Sequence, residues 1–258
     1  MLFRLKLNFV LLVNSKYPAS RLGPTADAVY HARKRWPMPE TTRILPITAP
    51  EAIEAASLAI IDAEVPEPRP FSGPHWAIVR RLIHTTADFE LPSLVRFSDG
   101  AVEAGLTALD QGATIITDTE MARCAIPPRR LEPFGCTVRC FMNEPAVVAA
   151  AKAANSTRAA LAVDFALDLP GPLIFVIGNA PTALLRLLKR IDGGTPAPAL
   201  VIGMPVGFVN AAESKALLQT RADFPWITIK GRKGGSALAG ATVNALAILL
   251  REAGEEKA

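Results

Sequence analysis

The chain has 258 residues, of which 50% are apolar, and this suits one large domain or one domain with an appendage. Its 28 basic and 24 acidic residues leave a net charge of +4, and aromatic residues make up only 6% of the chain. A charge this weak, without any nucleic-acid-binding motif, argues against DNA or RNA as a partner. The same slight basic excess suits a small polyanionic ligand such as a polycarboxylate.

The N-terminal part, residues 1–45, is interpreted as an extension of unknown role. Its apolar run Leu7–Val13 resembles the core of a signal peptide, but no small-residue cleavage site follows it and it is too short to span a bilayer. The three cysteines, Cys124, Cys136 and Cys140, are too few and too scattered for a disulfide framework. We therefore expect a cytoplasmic protein without a membrane partner.

The main domain, residues 46–252, begins with alternating helical and strand patterns and ends in a tail at 253–258. In chain order its predicted elements are helices from near Ala49 and over about Trp76–His84, a loop region with Phe97 and Ser98, a helix over about Asp99–Gln111, strands at Thr114–Thr117 and Gly135–Phe141, and helices from about Pro145 and after Arg158.

Three similar segments close the domain, and each consists of an apolar run, a glycine-rich loop and a helical pattern. They begin at Leu173, Ala199 and Trp226. This order is typical of βα units on a parallel sheet. Because the loops after parallel strands lie at one edge of the sheet, we expect them to form one site for one sizeable ligand.

The common nucleotide and hydrolase motifs are absent: there is no dinucleotide fingerprint, no Walker A sequence and no Gly-x-Ser-x-Gly. The loop 231–236 would allow backbone N–H groups to surround an anion, with added charge from Arg232 and Lys233, but an ordinary turn explains it too. Asn179 and Thr182 are possible helix caps, which is also a purely structural role.

His84 is the most informative of three histidines, which are too dispersed to predict a metal site. It closes an apolar helix, and a helix C-terminus favours the protonated form of a histidine. That position suits a proton donor, although a capping or core histidine explains the same pattern.

Long blocks of the chain, in order, resemble the signature blocks of the precorrin-8X methylmutase family. They include GNAPTALLRLL, PALVIGMPVGFVNAAESKALL and GRKGGSALAGATVNAL near the C-terminus, and IEAASLAIIDAE and VRRLIHTTADFE upstream. The resemblance covers about residues 46–250. It implies a flavodoxin-like three-layer α/β/α fold with a parallel sheet, a homodimer, and no cofactor or metal.

The resemblance also implies an isomerase of cobalamin biosynthesis. Such an enzyme moves a methyl group from C-11 to C-12 of precorrin-8X, or of cobalt-precorrin-8, by a general-acid-assisted sigmatropic shift that gives hydrogenobyrinate or cobyrinate. The sequence does not separate the cobalt-bearing substrate from the metal-free one. A non-catalytic corrinoid carrier is the alternative, and a phosphate-ligand α/β enzyme has only the glycine loops in its favour.

In this resemblance, His84 stands where the family's histidine acts as general acid on a macrocycle nitrogen. The residues expected to bind substrate are Ser57, Thr85, Arg158, Asn179, Thr182, Lys215, Arg232 and Lys233. Three positions depart from the usual family residues, which affects the expected shape of the pocket: Leu58 replaces Phe, Ala125 replaces Gly and Ala159 replaces Ser.

Overall fold

The computed structural model of the protein describes residues 49–65 and 67–255. These residues belong to one compact unit that spans Thr48–Ala258. The proposed extension at 1–45, its boundary with the domain, and the last three residues of the proposed tail lie outside the described part of the chain.

Helices and strands alternate through most of the described chain. The helices are α1 (Pro50–Glu64), α2 (Gly73–Thr86), α3 (Leu91–Leu94), α4 (Ala101–Asp110), α5 (Glu120–Cys124), α6 (Pro145–Ala153), α7 (Arg158–Leu167), α8 (Pro181–Asp192), α9 (Ala211–Gln219) and α10 (Ser236–Glu255). The strands are β1 (Val95–Phe97), β2 (Thr114–Thr117), β3 (Thr137–Cys140), β4 (Leu173–Ile177), β5 (Leu200–Gly203) and β6 (Trp226–Ile229). Two 3₁₀ turns, Pro128–Arg130 and Glu132–Phe134, precede β3.

The six strands form one sheet in the order β1-β6-β5-β4-β2-β3. The five strands from β2 to β6 are parallel, and β1 joins β6 antiparallel at the edge. Counted without β1, the parallel strands follow the order 2-1-3-4-5 of flavodoxin-like folds. The expected fold class is therefore confirmed.

Strand β4 shows how the sheet separates two apolar layers. Its five residues are all buried, as expected for a central parallel strand with helices on both faces. Ile174 and Val176 point into a cluster with α2, α4 and α10, whereas Phe175 and Ile177 point into a cluster with α7 and α8. This alternation produces the three-layer α/β/α arrangement.

The sequence pattern predicts β2 at the residues where it is found, but it misses β1 and α5. Phe97 was expected in a loop and instead belongs to β1, whose register pairs it with Ile227. Three residues carry too short a pattern to reveal a strand, and their hydrogen-bonding partner comes from the far end of the chain.

The apolar helix α10 is covered largely by its own chain. The alanine-rich, apolar pattern of residues 238–250 predicts more apolar surface than one sheet needs, and hence a dimer contact, yet 238–247 are buried except for half-buried Asn244. Helix α2 packs along it. By length and composition α10 is the one described helix that would cross a membrane, a test that core helices also meet, and 50% of that stretch is buried inside the molecule.

Candidate functional site

The loops that follow the parallel strands come together at the carboxyl edge of the sheet. The loops after β2, β4, β5 and β6 all lie at this edge because these strands are parallel. The segment before β1 joins them, since β1 is antiparallel to β6 and begins opposite its last residue, Ile229. The end of α2, with His84, leads into that segment.

Asp118 occupies the point where the strand order reverses, between β2 and β4. Its Oδ1 accepts a hydrogen bond from the backbone N–H of Gly178 at 3.0 Å, and its Oδ2 accepts from Asn179 at 2.8 Å and Ala180 at 2.6 Å. These donors precede α8, whose N-terminus favours a negative charge. In this fold family's general plan such N–H groups face a ligand, whereas here a carboxylate of the same chain binds them.

The loop after β4 also approaches the start of α10 very closely. A Cβ at Gly178 would lie 2.7 Å from the backbone nitrogen of Ser236, so the backbone leaves no room for a side chain. Thr119 Oγ1 lies 2.9 Å from Ser236 Oγ on the other side of this contact. Asp118, Gly178 and Ser236 therefore fix three loops against one another.

The loops after β5 and β6 are joined by their backbones. Gly235 N–H donates to the carbonyl of Met204 at 2.9 Å, and Gly207 N–H donates to the carbonyl of Arg232 at 3.2 Å. The expected anion-binding turn at 231–236 thus already uses one of its N–H groups within the chain. Arg232 itself is exposed, with its guanidinium 5.5 Å from the centre of the Phe208 ring.

Lys215 stabilises the same pair of loops from inside. Its side chain is 0% exposed, and its ammonium group donates to the carbonyl of Lys233. Burial lowers the pKa of Lys215 from its ordinary value near 10.5 to about 8. A substrate contact remains a prediction for Lys215, whereas the observed contact orients the glycine loop.

Lys233 links the glycine loop to the segment that follows His84. Its Nζ contacts Asp88 Oδ2 at 2.5 Å and Glu90 Oε2 at 2.7 Å. Both carboxylates lie just beyond the end of α2. Lys233 is therefore paired within the chain, and its charge holds the His84 segment at the edge of the sheet.

His84 is half-buried in the last turn of α2, directly after the fully buried Leu82 and Ile83. The hydroxyl of exposed Thr85 donates to the carbonyl of Arg81 at 2.8 Å, so it is satisfied by its own helix. The hydrogen bond from Arg81 lowers the pKa of Glu54 on α1. The helical turn before His84 is therefore bonded to α1.

A second group of expected site residues gathers around the starts of α7 and α8. Thr157, which caps α7, donates its hydroxyl to Thr182 Oγ1 at 2.9 Å. Arg158 is exposed and donates to Asn143 Oδ1, in the loop after β3, at 3.2 Å. The exposed Asn179 lies two residues before α8, and its backbone N–H donates to Asp118.

The structure thus brings most of the expected substrate contacts to the carboxyl edge, in one group near His84 and another near Arg158. Ser57 lies apart, half-buried on α1, with its hydroxyl donated to the carbonyl of Ile53 at 2.8 Å. For all of these residues, including Ser57, contact with a substrate stays a prediction.

The three unusual positions have different surroundings. Ala159 is buried in the apolar layer of α7, and the Ala125 carbonyl accepts from Asn244 of α10 at 2.8 Å. These two positions affect helix packing. Leu58 lines a cavity between α1, α2 and α10.

Asp118 is the main residue that the sequence analysis missed. The sequence did contain a signal for it. A carboxylate stands directly after β2, and a Gly-Asn-Ala loop follows β4. Among residues 49–65 and 67–255, no cluster of three or more His, Cys, Asp or Glu is arranged to hold a metal ion.

Comparison with known proteins identifies the family. The family model for precorrin-8X methylmutase matches residues 52–249. The chain belongs to the precorrin-8X methylmutase family. The match spans every described strand and the helices from α2 to α9 in full.

Relatives of the family match over four fifths or more of their own length. A cobalt-precorrin-8 methylmutase of Salmonella typhimurium is 46% identical over 80% of this chain and 99% of its own. A precorrin-8X methylmutase of Pseudomonas aeruginosa is 44% identical over 65% of this chain and 80% of its own. A solved precorrin-8X methylmutase from Thermus thermophilus superposes with a TM-score of 0.73 at 49% identity, over 79% of this chain and 98% of that one.

Replacing Asp118 by Asn should destabilise this methylmutase domain. An amide offers one acceptor oxygen, and its NH₂ group would face N–H donors, so the loop after β4 loses part of its support. We expect the free energy of unfolding to fall by about 2 kcal/mol, measured by chemical denaturation. The exposed Asp110→Asn is the matched control, and equal unfolding midpoints for both variants would contradict this role of Asp118.

Replacing Lys215 by Met should change how stability depends on pH. Because the folded pKa of Lys215 lies near 8 and its ordinary value near 10.5, the unfolded chain retains the proton between these values. Wild-type stability therefore gains from rising pH across this window.

Lys215→Met lacks the titrating group but also lacks the donor to the Lys233 carbonyl. We therefore predict the change with pH: the stability of Lys215→Met relative to wild type should fall by about 3 kcal/mol as the pH rises through the window. Denaturation curves at several pH values measure the difference, with the exposed Lys189→Met as control. A difference that is constant with pH would show that Lys215 does not titrate there.

Proposed function

We propose that this chain catalyses the methyl shift of cobalamin biosynthesis, from C-11 to C-12 of precorrin-8X or cobalt-precorrin-8. Membership of the methylmutase family makes it an isomerase. The observation that carries the detailed proposal is the position of His84, at the end of a buried helix that Lys233 ties to the carboxyl edge. Relatives are named for both substrates, so cobalt content is left to experiment.

We infer that His84 donates a proton to a nitrogen of the bound macrocycle. Protonation withdraws electrons from the conjugated ring and lowers the barrier to migration, and the shift then needs no nucleophile. The imidazole is half-buried in the last turn of α2, beside the segment that Lys233 ties to the carboxyl edge. The same proton returns to His84 when the rearranged ring loses it, which leaves the residue unchanged.

The exposed arginines of the edge support binding of the carboxylate side chains of the substrate. Arg158 and Arg232 lie in separate groups at the carboxyl edge, and neither contacts a carboxylate among the described residues. A guanidinium accepts a carboxylate through two parallel hydrogen bonds, which gives direction as well as charge. Thr85, Asn179 and Thr182 offer further polar groups near these two positions.

We also infer a homodimer, with support that differs from the sequence argument. Since α10 is covered within the chain, the relevant apolar surface is the loop after β5, where Phe208 is 82% exposed and Val209 is 78% exposed. Adjacent exposed residues of this size often mark an interaction surface. Light scattering at micromolar concentration should give twice the 27.5 kDa mass of the chain. A stable monomer would contradict the inference.

We infer a cytoplasmic location from cysteine chemistry. Cys124, Cys136 and Cys140 are all free in the structure, and Cys124 is exposed. An exposed free thiol suits a reducing compartment.

The central test is His84→Asn, which keeps one hydrogen bond but cannot donate a proton at neutral pH. We expect turnover to fall by about two to four orders of magnitude, while product binding and unfolding temperature stay close to wild type. The rate is followed spectroscopically with substrate made by the upstream enzymes, in its metal-free and cobalt forms.

His75→Asn is the matched control, because His75 lies on the same helix, near its other end, and its ring packs edge-on against Phe97. Turnover of His84→Asn within a few-fold of wild type would assign the proton to another donor. Wild-type protein that binds the corrin without changing its spectrum would be a carrier, and would refute the enzymatic proposal.

A further inference from the structure

A cavity of about 700 Å³ lies beside the candidate site, between α1, α2, the 3₁₀ turns and the second half of α10. This volume falls in the range of small-molecule binding pockets. Five arginines line it, and we call it the arginine cavity: Arg80, Arg81, Arg129, Arg130 and Arg251. Such a concentration of cations in one concave surface requires counter-charges.

Only some of these arginines are neutralised within the described chain. Arg80 pairs with Asp62 at 2.6 Å, Arg81 with Glu54 at 2.5 Å, and Arg251 with Glu255 at 3.5 Å. The side chains of Arg129 and Arg130 have no carboxylate partner among residues 49–65 and 67–255.

Arg130 is the clearest sign of a missing partner. Its Nε is buried and has no hydrogen bond. Native proteins satisfy the large majority of buried polar atoms, so an unbonded N–H beside a cavity indicates a group that binds there. Burial lowers the pKa of Arg130, and the neighbouring charges of Arg81 and Arg129 act in the same direction. A bound anion would offset both effects, because an opposite charge stabilises the protonated guanidinium.

Helix α2 connects the arginine cavity with His84. Ala77, Arg80 and Arg81 line the cavity from α2, and His84 follows Arg80 by four residues and Arg81 by three. These spacings place the four side chains on one face of the helix. His84 is therefore about one turn, or 5.4 Å along the helix axis, from the two arginines of α2 that line the cavity.

We propose that the arginine cavity binds carboxylate side chains of the same ligand whose ring lies at His84, with Arg129 and Arg130 as the residues that bind them. This inference rests on the proposed function, because it assigns a subsite to the polycarboxylate substrate. The apolar lining from Leu58, Phe134 and Leu249 accommodates the methylene groups of such side chains. Three glutamates also line the cavity, Glu51, Glu54 and Glu252, and Glu54 is bonded to Arg81. Because none of the three forms an ion pair with Arg129 or Arg130 in the described part of the chain, these two arginines are the available positive charge.

The experiment measures binding of the metal-free product, hydrogenobyrinate, by absorbance titration at low and high salt. Arg129→Gln and Arg130→Gln are compared with wild type and with Lys189→Gln. This control removes the same charge from an exposed position of α8, on the opposite face of the sheet. Each arginine variant should bind about ten-fold more weakly, as expected for loss of one charge-assisted pair. The control should bind as wild type.

The same titrations with the corrin carboxylates converted to amides separate charge recognition from general damage. We expect the arginine variants and wild type to bind this neutral ligand equally. Unchanged affinity of both variants for hydrogenobyrinate would overturn the proposed binding role of the arginine cavity. The proposed methyl-shift activity would not be affected by that result. If Arg130→Gln fails to fold, the more exposed Arg129→Gln decides. Failure of wild type to bind either corrin would overturn the proposed function and this inference together.

Discussion

The carboxylate of Asp118 and the three backbone N–H groups that bind it are the interaction on which the site depends. One side chain after β2 fixes the loop after β4, and that loop touches the start of α10 where Gly178 meets Ser236. The pairing of β2 with β4 ends where the Asp118 N–H donates to the carbonyl of Val176 at 3.2 Å. The Asp118 side chain then continues this connection beyond the strands, because its carboxyl group binds the N–H groups of the following loop.

The remaining loops follow the same principle of internal pairing. Lys215 orients the glycine loop from below, and Lys233 extends from that loop to Asp88 and Glu90 beside the end of α2. Charges that a sequence pattern assigns to ligand binding are thus used for preorganisation, which fixes the position of the groups that face outward. The exposed Arg158 and Arg232, and the unpaired arginines beside α2, remain available to a polyanion.

Local patterns explain which features were predictable. The three closing βα units were predictable because each unit contains its own apolar run and glycine loop. Strand β2 was predictable because its four residues form a short run bounded by turn signals. Strand β1 and the partners of Asp118 depend on contacts between distant segments, which no local window contains. The arginine cavity also escaped notice, because its residues come from α1, α2, a 3₁₀ turn and α10. His84 stood out through its resemblance block, whereas its tether to Lys233 is a tertiary contact.

The pairing of β1 with β6 has a consequence for biosynthesis of the protein. β1 is the first strand along the chain, yet its ladder partner is the last strand, and α2 packs on the last helix. During translation, the histidine segment has neither support until residues near the C-terminus have left the ribosome. Sheets closed by such distant pairs order late and slowly. A nascent or truncated chain would therefore contain every residue of the α7–α8 group while the segment that carries His84 still lacks its supports. Under the mechanism proposed above, such premature products would be inactive.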